Sequence, residues 1–166
     1  MKKVVMTFNK APEQRRNNAE VIANLVEGEV YVGGTRTCDN LVNILKEAND
    51  DVLLFEDDVH ILNYGFDSFI EEYSDVPINF YYPRVDHTTF VNGNNYGYNQ
   101  CVYIPKAIGK KIINNLDYFK AHMSYFYRTN NHANLIRYTL GKARQDFLAV
   151  SPALVEPYDW ESTING

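Results

Sequence analysis

Residues 51–61 read DVLLFEDDVHI. An apolar run at 52–55 delivers three consecutive acids, Glu56, Asp57 and Asp58, and apolar character resumes at Val59. Adjacent carboxylates repel one another and cost stability unless a cation or hydrogen-bond donors compensate. Hard divalent cations such as Mg²⁺ or Mn²⁺ take oxygen ligands and fill their remaining positions with water and phosphate oxygens. The triplet therefore points to a metal site that grips a diphosphate. A solvated acidic turn is the alternative, and a buried strand running straight into it argues against that. Consecutive strand residues alternate faces, so Glu56 and Asp58 share a side while Asp57 points away until the chain turns.

Such a cluster needs a scaffold, and the pattern supplies one. Residues 3–8 (KVVMTF) predict a buried strand. Pro12 suits a first helical position, and Ala19, Ile22, Leu25 and Val26 follow at helical spacing. Residues 29–32 predict a second strand closed by Gly33 and Gly34, and Thr37 or Asp39 can cap a helix carrying Leu41, Val42, Leu45 and Ala48. Asn49 and Asp50 end it, and the acid-tipped run is the third strand. This β-α-β-α-β order is that of a parallel sheet with crossover helices, whose ligands bind beyond the carboxyl ends of the strands. Farther on, residues 66–73 predict a helix, 77–82 and 101–104 strands, and Pro105 a helix with Ile108, Ile112, Ile113 and Leu116 inward. Residues 131–141 predict another helix and 147–150 a last strand. The expectation is one α/β domain over residues 1–166, with a mostly parallel Rossmann-like sheet flanked by helices.

The 166 residues hold no apolar run near the roughly 18 of a membrane span, and the N-terminal apolar run is too short for a secretory signal. A cytoplasmic protein without membrane association is expected. Cys38 and Cys101 lack metal-ligand spacing and read as buried free thiols. Net charge is −5, which argues against a generic nucleic-acid binder, yet residues 100–145 hold eight lysines and arginines against the single acid Asp117. Tyr118, Phe119, Tyr125, Phe126 and Tyr127 lie among those bases. Cations between stackable rings are the usual make-up of a nucleic-acid surface.

VLLFEDDV resembles the DXD-type motif of GT-A fold glycosyltransferases. It is especially similar to the ILEDDV motif of the bacterial lipopolysaccharide-biosynthesis (family 25 type) enzymes. PEQRRNNAEVIANL, CDNLVNILKEAND, QCVYIPKAIGKKIINNL and SPALVEPYDWESTING resemble successive segments of that family. The resemblance implies a GT-A-like domain, with a nucleotide-binding half over about 1–60 and an acceptor-binding half over about 61–166. It implies Mn²⁺ or Mg²⁺ and a nucleotide-sugar donor, UDP-glucose foremost. Asp58 would be the direct metal ligand, Asp57 would hydrogen-bond the ribose, and Glu56 would orient the motif. Thr7, Phe8 and Asn9 would border the base. Arg15 or Arg16 would meet base or diphosphate, a solvated helix face being the alternative, and Asn40 would either contact the nucleotide or cap its helix. Pro157 stands where the family's late metal-binding His is expected, and either Asp159 or water can fill that metal position. The inverting members' late acid is also missing, leaving His132 as the group able to take a proton and Asp86 as the next candidate. A retaining enzyme needs no such base.

Glycosyl transfer passes through an oxocarbenium-like state while charge gathers on the departing diphosphate. The loop NGNNYGYNQ (92–100) offers amides and phenols to sugar hydroxyls, Tyr98 and Gln100 first. Small enzymes of the resembled type occur in bacteriophages and glucosylate hydroxymethylated pyrimidines in DNA. Segment 100–145 fits such an acceptor, a cell-surface glycan being the alternative. A non-catalytic nucleotide-sugar-binding module is the rival class, and a two-metal nucleotidyltransferase or nuclease ranks last for want of further acids.

Overall fold

β1 (Lys2–Phe8), α1 (Glu13–Val26), β2 (Glu29–Gly33), α2 (Thr37–Ala48) and β3 (Val52–Glu56) follow the expected alternation. The computed structural model describes residues 1–129 and 131–158. β1 pairs in parallel with both β2 and β3, so the chain crosses over β1 between its second and third strands. Pro12 stands just before α1, as its fixed φ and missing N–H allow. Neither Thr37 nor Asp39 caps α2, whose N-cap position is Arg36 with no side-chain cap. Asn49 closes that helix in the left-handed conformation, an asparagine's usual place.

Beyond the acids come β4 (Val59–Ile61), α3 (Phe66–Glu72), β5 (Ile78–Asn79), β6 (Thr89–Val91) and β7 (Cys101–Ile104). Then follow α4 (Lys106–His122), α5 (Ser124–Arg128), α6 (His132–Ala143), β8 (Phe147–Ala149) and β9 (Val155–Pro157). Among the described residues, a seven-stranded sheet has the order β2-β1-β3-β7-β5-β8-β6, and β4 pairs with β9 in a separate ribbon. β7 and β6 run against the other five strands, so the sheet is mostly parallel in direction yet mixed in pairing. The strand expected over 77–82 is short because the chain leaves the sheet after the Phe80 N–H reaches the Cys101 carbonyl at 3.0 Å.

Strand alternation builds two cores. Val4, Met6, Val52, Leu54, Val102 and Ile104 face α2, α4 and α6. Val5, Leu53, Phe55, Cys101 and Tyr103 face α1 and α3. Within α1 the buried residues are Ala19, Ile22, Ala23 and Val26, an i, i+3, i+4, i+7 stripe, and Leu25 falls off that face and is exposed. Both cysteines are free and buried, and burial pushes the Cys38 thiol up to about 12. No helix among the described residues is long and apolar enough to cross a membrane.

One polar clamp ties three helices together. Lys120 of α4 reaches Asp39 of α2 at 2.8 Å, and Tyr127 of α5 donates to the same carboxylate at 2.6 Å. Partial burial works against the Asp39 charge, but the Lys120 and Tyr127 hydrogen bonds outweigh it and hold its pKa below the ordinary value. A depressed carboxylate adds stability above the unfolded pKa and loses it as pH falls through the folded one. Asp39→Asn should therefore cost at most about 1 kcal/mol at pH 7, given solvent screening, with the deficit shrinking as pH falls below ~3.9. Denaturant unfolding at pH 7 and pH 3 checks this; an equal deficit at both would contradict it.

Candidate functional site

The crossover at β1 leaves a crevice beyond the carboxyl ends of β1 and β3, with α1 on one face and α2 on the other. Register sets Glu56 opposite Met6, so Thr7 and Asp57 follow side by side. By alternation Met6 and Glu56 point toward the α2–α4–α6 face, and Thr7 and Asp57 toward α1. The acids are thereby dealt to opposite sides.

Asp57 is 1% exposed, and its partners come from β1 and α1. The Thr7 hydroxyl donates to Oδ2 at 2.5 Å, and Arg15 Nε donates to Oδ1 at 2.7 Å, with the Arg15 Nη2 also on Oδ1. Asn18, one helical turn from Arg15, donates to the carbonyls of Asp57 and Val59 at 2.9 and 3.0 Å. Both Asp57 oxygens thus accept hydrogen bonds from within the protein and hold the turn. Arg15 likewise serves the acids, with Nη2 3.2 Å from Asp58 Oδ2 and its guanidinium 5.7 Å from the Phe8 ring.

Arg15 cannot neutralise all three charges. Burial, then the Asp58 charge, pushes the Glu56 carboxyl up to about 8 against the pull of Arg15. Burial also raises Asp58, again opposed by Arg15. Asp58 Oδ1 is buried with no hydrogen-bond partner among the described residues. Such an oxygen suits a hard cation, and Mg²⁺-type ions are held by one or two carboxylates plus water and phosphates. Among the described residues no three His, Cys, Asp or Glu side chains gather into a metal cage. Asp159 lies outside the described residues, but the tail reaches the acids: β9 pairs with β4, and the Tyr158 N–H donates to the Asp58 carbonyl at 2.7 Å.

Glu56 borders two cavities. The smaller, of about 60 Å³, is bounded by Thr7, Phe8, Arg15, Asn40 and the three acids. The larger, of about 420 Å³, runs along residues 94–100 to the start of α6. There His132 Nε2 lies 3.4 Å from Glu56 Oε1 without a hydrogen bond. Burial lowers the His132 pKa to about 4, so the ring is neutral at physiological pH. Tyr96 Oη, Asn99 Oδ1 and Gln100 Oε1 are also buried at this cavity without partners among the described residues. The loop is braced by Asn79 Nδ2, which donates to the Gly97 and Tyr98 carbonyls at 2.7 and 2.8 Å. Tyr98 sits at φ 61°, a left-handed conformation that costs a non-glycine residue roughly 1–2 kcal/mol.

The remaining candidates divide. Thr7 and Phe8 border the small cavity, while Asn9 and Arg16 are exposed and line neither one. Asn40 is not a cap. Its amide clasps Gly34, accepting from N at 3.1 Å and donating to O at 2.8 Å, in space that a Cβ on Gly33 would occupy. Asp86 is exposed, bonded to its neighbour His87 at 2.6 Å, and lines neither cavity. Tyr98 and Gln100 do line the large cavity. Sequence reasoning missed Asn18, Arg84 and Arg137 as site residues. Arg84 stands two positions from Asp86, the second candidate base, and carries no pattern of its own. Of the basic segment, Phe119 is core and Lys120 is paired, whereas Tyr118 and Tyr125 are exposed.

The chain matches no protein-family model and no curated protein. Among solved structures it is similar to the crystal structure of A197 from STIV, with a TM-score of 0.58 and 10% identity over 96% of this chain and 86% of that one. At that identity the likeness concerns the fold alone.

Two outcomes follow from this geometry. Arg15→Met leaves a buried Asp57 unpaired and should cost about 3 kcal/mol in denaturant unfolding, with Thr7→Val costing about 1; a loss under 1 kcal/mol for Arg15→Met would remove the brace. The His132 ring should show no titration in proton NMR between pH 7.5 and 5.5, its charge appearing only near pH 4. Because folding lowers this pKa, His132 opposes folding increasingly as pH falls from about 6.5 toward 4. A midpoint near 6.5 would contradict its burial.

Proposed function

We propose that the chain is a metal-dependent glycosyltransferase that moves a sugar from a nucleotide-sugar, UDP-glucose foremost, to a hydroxyl acceptor. The observation that carries this reading is Asp58 Oδ1, a buried carboxylate oxygen without a partner among the described residues, at the β1–β3 crossover. The likeness of VLLFEDDV to the DXD-type motif adds to it.

Asp58 would hold the cation, which when bound neutralises charge gathering on the departing diphosphate. Arg15, Thr7 and Asp57 keep Asp58 in place, so its oxygen need not reorganise during reaction. The small cavity has to widen to admit a nucleotide beside Thr7 and Phe8. On the other side of Glu56, neutral His132 Nε2 can receive the acceptor hydroxyl's proton. Glu56 Oε1, 3.4 Å away, stabilises the charge that forms once its own carboxyl has ionised, which burial and the Asp58 charge delay to about pH 8. Tyr96, Asn99 and Gln100 orient hydroxyls with their unmatched polar atoms.

A hydroxymethylated pyrimidine in DNA is a second reading of the acceptor. It is favoured by Tyr118 stacked on Tyr138 at 5.7 Å, with Lys142 over both rings. With Mn²⁺ and UDP-glucose the protein should release UDP slowly, and Asp58→Asn should lower that rate at least 100-fold. Equal rates, or no release across several UDP-sugars, would overturn the reading in favour of a non-catalytic module. Adding hydroxymethylcytosine or hydroxymethyluracil DNA and digesting it to nucleosides should show a hexose mass gain if the DNA reading holds.

A further inference from the structure

We infer that the 420 Å³ cavity beyond Glu56 binds a sugar phosphate, with the phosphate on Arg84 and Arg137 and the hydroxyls on Tyr96, Asn99 and Gln100. The volume suits a small-molecule site. Its wall is polar, and four side-chain atoms, on Tyr96, Asn99, Gln100 and His132, are buried there without partners among the described residues. Each orphan costs about 1–3 kcal/mol, which a fold would not accumulate at one place for stability. Asn99 Oδ1 and Gln100 Oε1 accept only, so they call for O–H or N–H donors, and Tyr96 Oη can do either. Vicinal hydroxyls on a sugar ring supply that mixture.

Charge selects within that class. Arg84 and Arg137 line the cavity, and neither has a carboxylate partner among the described residues. Each is held by a neutral group instead. Arg84 Nε donates to Tyr98 Oη at 3.2 Å and its guanidinium lies 5.3 Å from that ring, while Arg137 Nη2 donates to Asn134 Oδ1. Neutral tethers aim both guanidiniums without spending their charge, and such forks match phosphate oxygens. Tyr98, the tether of Arg84, is the residue whose backbone is held at φ 61° by the Asn79 brace. Strain stored beside a cluster of orphaned groups is the mark of a pre-organised binding wall.

As the acceptor, this ligand rests on the glycosyltransferase reading; as a binding site it does not, so the test omits metal and nucleotide. The full chain in chelator is titrated with glucose 6-phosphate and glucose 1-phosphate, with glucose, and with inorganic phosphate, by calorimetry. At least one hexose phosphate should bind tenfold or more tighter than glucose and phosphate alike. Arg84→Ala, an exposed change that leaves the core intact, should weaken it tenfold, and Arg137→Lys similarly. Asn99→Ala should weaken the hexose phosphate without altering inorganic phosphate. No binding of either ester, equal binding of phosphate alone, or retention only of a hydroxymethylated oligonucleotide would overturn the assignment. If UDP release depends on Asp58 while no hexose phosphate binds, the site assignment falls and the transferase reading stands.

Discussion

The buried contact between Arg15 and Asp57 organises everything around it. It joins α1 to the end of β3 across the crevice that the β1 crossover opens, and Thr7 closes it from β1. Two charges removed from water hold such a geometry only when their remaining polar positions are filled. Thr7 fills one, and the Asn18 bonds to the turn's carbonyls fix the backbone between Asp57 and Val59. With the middle acid bound to Arg15 and Thr7, the outer two differ in setting. Asp58 Oδ1 has no hydrogen-bond partner among the described residues, and Glu56 borders two cavities.

That division follows from the pleat. Successive strand residues face opposite layers, so one strand end can supply a charged pair to α1 and a carboxyl facing α6 with no insertion between them. The antiparallel insertion of β7 matters equally. The Gln100 carbonyl accepts from the Glu56 N–H at 3.0 Å, which sets the amide-rich loop alongside the acids. A parallel neighbour would have put that loop at the far end of the sheet.

Much of this was readable in advance. Helical spacing and short β-branched runs reveal the first five elements, and the acidic triplet declares itself by its electrostatic cost. The direction of β7 was not readable, because a four-residue buried strand looks alike either way. β6 and β9, each three residues long, exist through pairing with β8 and β4 and carry no local signal. Leu25 misleads because its spacing of three from Ile22 fits a helical stripe, whereas the buried stripe runs through Ala19, Ile22, Ala23 and Val26. Within the site, residue types were legible and their partners were not. Arg15 and Asp57 are 42 positions apart, and nothing in PEQRRNN distinguishes the buried Arg15 from the exposed Arg16. The resemblance implies a ribose contact for Asp57; only the three-dimensional placement of Thr7 and Arg15 shows that its carboxylate braces the turn.

The central claim is that Asp58 offers its oxygen to a divalent cation bearing a sugar nucleotide. Anomalous diffraction from crystals soaked in Mn²⁺ and UDP-glucose tests it most directly. The account predicts a manganese peak at roughly 2.0–2.2 Å from Asp58 Oδ1, shared with diphosphate oxygens, while Asp57 stays on Arg15 and Thr7. Nucleotide bound with no manganese at Asp58, or manganese seated on Asp57 after release of Arg15, would contradict it.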